Sequence, residues 1–274
     1  MKDSIFIMFT KCIWYMRLLF HYTKRKSRAQ KKIVPQNKPY ISIITSVYDG
    51  DAFIDAFLVD MVQQTIFHKC ELILVNAASP GTEEQKIFEY MREYSNIIYV
   101  KLSYDPGLYA VWNYAIRLAR GTYITNANLD DRVAYECYEK HSTVLDNNAA
   151  IDLVYSDIYV TYVPNESVQK NSAAYIQTHD EFSVKSMQQS LPNDHPMWRR
   201  SLHDRYGLFN EQFKIAGDWE FWLRAVKGGA RFKKVPGVLG LHYVNPTGLS
   251  TNEYDEARLQ ENELVKDMYK ELLE

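Results

Sequence analysis

Only three cysteines, Cys12, Cys70 and Cys137, occur in 274 residues. The count is odd and the spacing fits no metal-ligand pattern. That argues against a disulfide-built secreted scaffold or a cysteine zinc site and points to reduced thiols in a cytosolic protein. Two nucleotide-binding signatures are also missing: no G-x-G-x-x-G follows the first β-prone run, and no G-x-x-x-x-G-K-[ST] occurs anywhere. An ordinary dinucleotide or P-loop site is therefore unsupported, and any base and phosphates must be held by other means. Nor is there a comfortable membrane span. The apolar-rich stretch from Ile5 to Phe20 is too short and is interrupted by Lys11 and Arg17.

What is present is a globular composition, 46% hydrophobic and 14% aromatic, in a chain long enough to bury a large core. The net charge of −2 conceals an asymmetry: residues 1–38 carry ten Lys/Arg against Asp3 alone, leaving 22 basic and 33 acidic residues for the rest. On a helical wheel Asp3, Thr10, Lys11, Arg17, His21 and Lys24 fall in one half, opposite Ile5, Met8, Phe9, Cys12, Tyr15, Met16 and Leu19. A basic amphipathic helix followed by KRKSRAQKK reads as an interfacial anchor on an anionic cytoplasmic leaflet. The alternative is a helix docked on a partner or on the protein's own body. A signal peptide fits poorly, since the basic cluster follows the apolar run. No nucleic-acid motif supports the tail as a nucleic-acid binder. Pro35 and Pro39 mark the linker, which divides the chain into a front end (1–38) and one α/β domain (39–274).

From residue 40 the pattern alternates. Tyr40–Val47, Glu71–Val75, Ile97–Leu102 and the run ending near Asn126 read as buried parallel strands. Between them, helices are predicted around residues 53–62, 82–94 and 108–120. Such β-α alternation makes a mostly parallel sheet with right-handed crossovers. Polar residues gather after each strand: Tyr48 and Asp49, Asn76 and Ser79, Asp105, then Asn128, Asp130 and Asp131. All lie at one edge, where open α/β sheets bind ligands. Beyond this, Val133–Asn147 reads as a helix, and Asp152–Val163 as a long strand. Residues 164–194 read as a polar loop over the crevice. A helix opens at Gly217-Asp218, Arg231–Val235 and Val238–Val244 read as two strands, and a charged helix spans about Asn252–Leu273.

The adjacent Asp130 and Asp131 repel one another unless a cation lies between them, and hard divalent ions such as Mg²⁺ or Mn²⁺ take oxygen ligands of this kind. The alternative is a polar loop whose Asp caps a helix starting near Val133.

Several segments in order resemble glycosyltransferase family 2, and within it the bacterial surface-polysaccharide branch. They are Ser42–Gly50; Asp105-Pro-Gly-Leu-Tyr-x-x-Trp-Asn113; Gly121-Thr-Tyr-Ile124; Asn128-Leu-Asp130-Asp131; Trp198–Glu211; and Ala216-Gly-Asp218-Trp-Glu-Phe-Trp-Leu-Arg224. The likeness covers about residues 40–250. It implies a GT-A (Rossmann-like) fold, a mostly parallel sheet flanked by helices, that binds a nucleotide-sugar, with a UDP-sugar favoured. By resemblance Thr45, Tyr48 and Asn76 line the base pocket, and Asp105, Asn113 and Asn128 lie near the nucleotide. Asp130 and Asp131 hold a divalent metal, Mn or Mg. Asp218 is the general base of an inverting displacement, with Glu220 as fallback, and His195 and Trp198 line the acceptor site. His242 and Asn245 close over the diphosphate. The family's Asp-Asp is replaced here by Asn76-Ala77 and the first acid of its D-x-D by Asn128. For Asp105 and Asn113 a turn and helix role is equally open, and Asp218 could instead be a helix cap.

The expectation is thus a metal-dependent transferase of hexosyl or N-acetylhexosaminyl groups to a glycan or lipid-linked acceptor, cytoplasmic and peripheral at the inner face of the plasma membrane through residues 1–32, with no nucleic-acid partner. The alternative is a non-catalytic nucleotide-binding scaffold at the membrane. A sugar nucleotidyltransferase would need a Gly-rich, basic loop after the first strand, which SVYDGDAF lacks.

Overall fold

The computed structural model describes residues 38–188, 191–192, 194–249 and 256–274. The expected amphipathic helix of the front end and the start of the expected last helix lie outside the described residues.

Near-continuous β-branched runs form β1 (Ile41–Val47), β2 (Cys70–Asn76), β3 (Ile97–Lys101) and β4 (Tyr123–Asn126), paired in parallel in the order β3-β2-β1-β4. Successive side chains alternate between faces. Ile44, Ile73, Val75 and Ile124 enter one apolar cluster, and Ile41, Ile43, Leu72, Leu74 and Tyr123 enter the other. Because helices cover both faces, neither face needs polar residues, which is why the runs read as continuous.

The crossover helices are α1 (Ile54–Val62), α2 (Glu83–Glu93) and α3 (Leu108–Leu118). In α1 the apolar face Ile54, Phe57, Leu58 and Met61 is buried, as is Asp60.

The second half departs from the sequence expectation in three places. Val133 does not begin a helix: Arg132–Val133 form a short strand, β5, and α4 spans Cys137–Asn147. Its partner is β9 (Phe232–Tyr243), so a distant strand overrides local helical preference. The two expected strands at 231–244 are this one strand. Opposite Tyr155 and Asp157 of β6 (Leu153–Thr161) the register slips, and Pro236-Gly237 is absorbed as a bulge with Gly237 at φ +106°. The polar stretch 164–194 is not all loop: it includes β7 (Tyr175–Gln177), antiparallel to β6, and a 3₁₀ turn at Lys185–Gln188. In the segment 195–200, which reads as extended from sequence, β8 (Met197–Arg199) is antiparallel to both β4 and β6, joining the parallel half to the rest. The full order is β3-β2-β1-β4-β8-β6-β9-β5, with β7 beside β6.

The helices α5 (Ser201–Tyr206), α6 (Gly217–Lys227), α7 (Glu256–Met268) and α8 (Lys270–Leu273) complete the described fold. Trp219, Trp222, Leu223 and Val226 of α6 are buried, as their spacing predicts. No helix among the described residues is long and apolar enough to cross a membrane.

Candidate active site

The tip of β4 turns at Leu129–Asp131, and Arg132 holds that turn. Its buried guanidinium donates to the carbonyls of Leu129 (2.8 Å) and Asp131 (2.5 Å) and to Asn165 Oδ1 (2.7 Å). Asn165 Nδ2 in turn donates to the Ala52 carbonyl. One buried cation thus ties the loops after β1, β4 and β6 together and balances nearby carboxylates.

Asp131 is 3% exposed, and both its oxygens are engaged: Oδ1 accepts from the Tyr243 N–H (3.1 Å) and Oδ2 from Asn128 Nδ2 (2.9 Å). Asp130 faces outward, half-buried, and accepts from Asn245 Nδ2 at Oδ2 (2.9 Å). Neither residue caps a helix. At the end of β9 His242 Nδ1 lies 3.2 Å from Asp131 Oδ1 and 3.5 Å from Asp194 Oδ2. Burial would lower the basicity of His242, but Asp194 and Asp131 outweigh it and push it up to about 10. The reciprocal charge holds Asp131 below the usual carboxylate range despite its burial. Burial, then repulsion from Asp131, raises Asp130 to about 6.

These donors fit a divalent cation. Asp131, Asp194 and His242 each offer one ligand atom, all within 4.8 Å of one another, and Asp130 adds an accessible carboxylate beside them. The imidazolium occupies the position of charge balance between two acids; a cation would supply that charge and release the ring as a neutral ligand.

Asp218 lies in the first turn of α6. Ala216, without a side-chain acceptor, is the cap residue, so Asp218 is not the N-cap. Its Oδ1 accepts from the Trp219 N–H (2.8 Å) and from the Tyr109 hydroxyl (3.1 Å), whose single proton is shared with the Ile215 carbonyl at 2.6 Å. Asp218 Oδ2 has no protein partner among the described residues. Burial raises Asp218 to about 6, against the two hydrogen bonds, and the charge of Asp194 adds to the rise. The Asp194 carboxylate thus lies beside His242, and its charge also acts on Asp218. A β-carbon at Gly217 would stand 2.7 Å from the Tyr109 ring, so only glycine lets this helix end seat there.

Other candidates are placed differently. Asn113 is buried, gives Nδ2 to the Phe209 carbonyl and Glu211 Oε1, and takes the Phe209 N–H at Oδ1. These bonds bracket the 209–211 segment to α3, a structural use of the side chain. Asp105 makes a turn with the Gly107 N–H, as the alternative reading allowed. Asn76 Oδ1 accepts the Ser79 N–H, and the residue is 1% exposed, so it shapes the turn after β2. Trp198 is fully buried and donates Nε1 to His203 Nε2, which makes it core rather than acceptor surface. His195 is buried at φ +54° with neither ring nitrogen partnered, packed where a β-carbon at Gly240 would meet it at 2.8 Å. It offers no open face to an acceptor. Thr45 is buried with its hydroxyl unpartnered, while Tyr48, 52% exposed, projects from the β1 tip. Glu220 pairs with Arg224 and accepts from the Tyr269 hydroxyl, so it is not a free base.

Sequence reasoning missed Asp194, Tyr109 and Arg132. Asp194 directly precedes His195 and carried no pattern of its own; Arg132 follows the acid pair, and its burial is a tertiary property.

Residues 42–211 match the family model for glycosyl transferase family 2. The glycosyltransferase EpsJ of Bacillus subtilis (strain 168) is 26% identical over 236 residues, 80% of this chain and 65% of EpsJ. The minor teichoic acid biosynthesis protein GgaB of the same organism is 31% identical over 121 residues, 43% of this chain and 13% of GgaB. The S. aureus TarS 1-349 structure in complex with UDP-GlcNAc superposes with a TM-score of 0.69 at 17% identity, covering 85% of this chain and 66% of that one, and shares the GT-A fold. The chain thus spans under two thirds of the length of EpsJ, GgaB and that TarS chain.

Proposed function

The chain belongs to glycosyltransferase family 2, and from that premise we propose that it transfers a hexosyl or N-acetylhexosaminyl group from a UDP-sugar to a glycan or lipid-linked acceptor in the assembly of a bacterial surface polysaccharide, with inversion. The observation that carries this reading is the cluster of Asp131, Asp194 and His242, whose ligand atoms lie within 4.8 Å of one another, together with a buried Asp218 on which the charge of Asp194 also acts. The likeness to GgaB, a minor teichoic acid biosynthesis protein, and to TarS, which binds UDP-GlcNAc, supports the class of donor and product.

An acceptor hydroxyl is a weak nucleophile until a carboxylate takes its proton. Asp218 Oδ2, uncommitted and raised in basicity, takes it. The acceptor oxygen bonds to the anomeric carbon as the bond from that carbon to the diphosphate oxygen breaks, and the electron pair leaves with the diphosphate. Asp130 and Asp131, with His242 and Asp194 at hand, would hold a Mn²⁺ or Mg²⁺ ion, which would supply Lewis-acid stabilisation of the charge on that leaving group. Thr45, Tyr48 and Asn128 line the nucleotide side. Residues 1–32, outside the described part, bring the protein to the inner face of the membrane.

The test is calorimetric titration of UDP into the protein with and without Mn²⁺, repeated on Asp130→Ala. Metal-dependent binding that the variant loses is expected. Binding of GDP instead of UDP would move the donor class, and no nucleotide binding at all would overturn both the transferase reading and the nucleotide-binding scaffold.

A further inference from the structure

The C-terminal helix α7 reaches the base helix through one carboxylate. Glu261 Oε1 accepts the Lys214 N–H at 2.7 Å, and Oε2 accepts the N–H groups of Ile215 at 2.8 Å and Ala216 at 2.9 Å. These are the amides leading into α6, whose own cap residue, Ala216, has no side-chain acceptor. A helix start needs acceptors for its free N–H groups and favours negative charge; here both come from another element.

The Ile215 peptide is then held from two sides. Its N–H is taken by Glu261 and its carbonyl by the Tyr109 hydroxyl (2.6 Å), the same hydroxyl that touches Asp218 Oδ1. Tyr109 sits on α3, its ring against Gly217. The C-terminal segment grips α6 again where the Tyr269 hydroxyl donates to Glu220 Oε1 (2.8 Å).

We propose that Glu261 is a positioning residue for the reaction, fixing the 214–216 turn and Tyr109 so that Asp218 is aimed at the acceptor. The inference rests on the reading of Asp218 as base. It assigns a role in turnover to a helix beyond residues 42–211, the region that matches the family model. A displaced general base loses rate steeply, with about 1 Å costing on the order of a hundredfold, whereas nucleotide binding at the strand tips is untouched.

The experiment compares Glu261→Ala, Glu261→Gln and Asp218→Asn in the full chain by kcat, donor KM, UDP affinity and thermal midpoint, with kcat normalised to the UDP-binding fraction. For Glu261→Ala, kcat should fall at least about tenfold while donor KM and UDP affinity stay within about twofold. Glu261→Gln, which keeps an acceptor oxygen, should recover part of the loss and covers the case in which the alanine variant folds poorly. Unchanged kcat in both Glu261 variants, or a fall in UDP affinity and midpoint that accounts for the loss, would overturn the proposal. Full activity of Asp218→Asn would instead sink the base reading itself. An inactive Asp218→Asn beside a fully active Glu261→Ala overturns the positioning role alone.

Discussion

A general base must be ionised to act, and burial places Asp218 at about 6. At pH 7 about nine-tenths of such a group is ionised and at pH 5 only about one-tenth, so kcat should fall roughly tenfold between the two. Asp130, also raised to about 6, titrates in the same window and must be separated. A bound cation keeps that carboxylate ionised, so at saturating Mn²⁺ the acid limb that persists belongs to Asp218, and a limb that moves with metal concentration belongs to Asp130. Asp218→Asn should lower kcat by roughly 10²–10⁴ and erase the persistent limb, leaving donor KM nearly unchanged. Tyr109→Phe removes a hydrogen bond that lowers the Asp218 pKa, so it should move the limb to higher pH. The assay is release of nucleoside diphosphate over pH 4.5–9. An Asp218→Asn enzyme within tenfold of wild type, or one that keeps the limb near pH 6, would refute the reasoning.

Two further outcomes are expected. Asp60 of α1 is buried, accepts from the Val133 N–H, and is pushed up by burial to about 7. Its folded pKa exceeds its unfolded one, so its contribution is fully present below about pH 4 and is lost as pH rises towards 7, by up to roughly 4 kcal/mol. Asp60→Asn should therefore flatten the pH dependence of the urea midpoint and be more stable than wild type at pH 8; an equal stability difference at pH 4 and pH 8 would contradict this. For the front end, charge neutralisation of Lys24, Arg25 and Lys26 to Gln should weaken sedimentation with phosphatidylglycerol vesicles. At about 1 kcal/mol per basic residue the loss is roughly a hundredfold. Binding that survives the change removes the electrostatic contribution of these residues, and binding that never occurs removes the membrane role.

The first four strands and their helices were legible because their chemistry is local. A strand buried on both faces must be apolar at every position, and an amphipathic helix must repeat at its own period. The same logic placed Asp130 and Asp131 at a strand tip, where a sheet exposes its ligands. The resemblance marked Asp218, and the structure set it at a helix start with one oxygen uncommitted. In the second half the partner decided. Arg132–Val133 became strand because β9 lay beside them, and Pro236-Gly237 passed as a bulge because β6 held both flanks. Asn113 and Trp198 carry side chains that suit a ligand or a core equally well; only the Phe209 backbone around one and His203 beside the other settled their use. Sequence alone thus determined the sheet, its ligand edge and the kinds of group gathered there, since these follow from periodicity and residue chemistry. Tertiary structure alone decided that Asp194 joins Asp131 and His242 and that Glu261 reaches the amides leading into α6, because contacts between residues far apart in the chain leave no periodic trace in it.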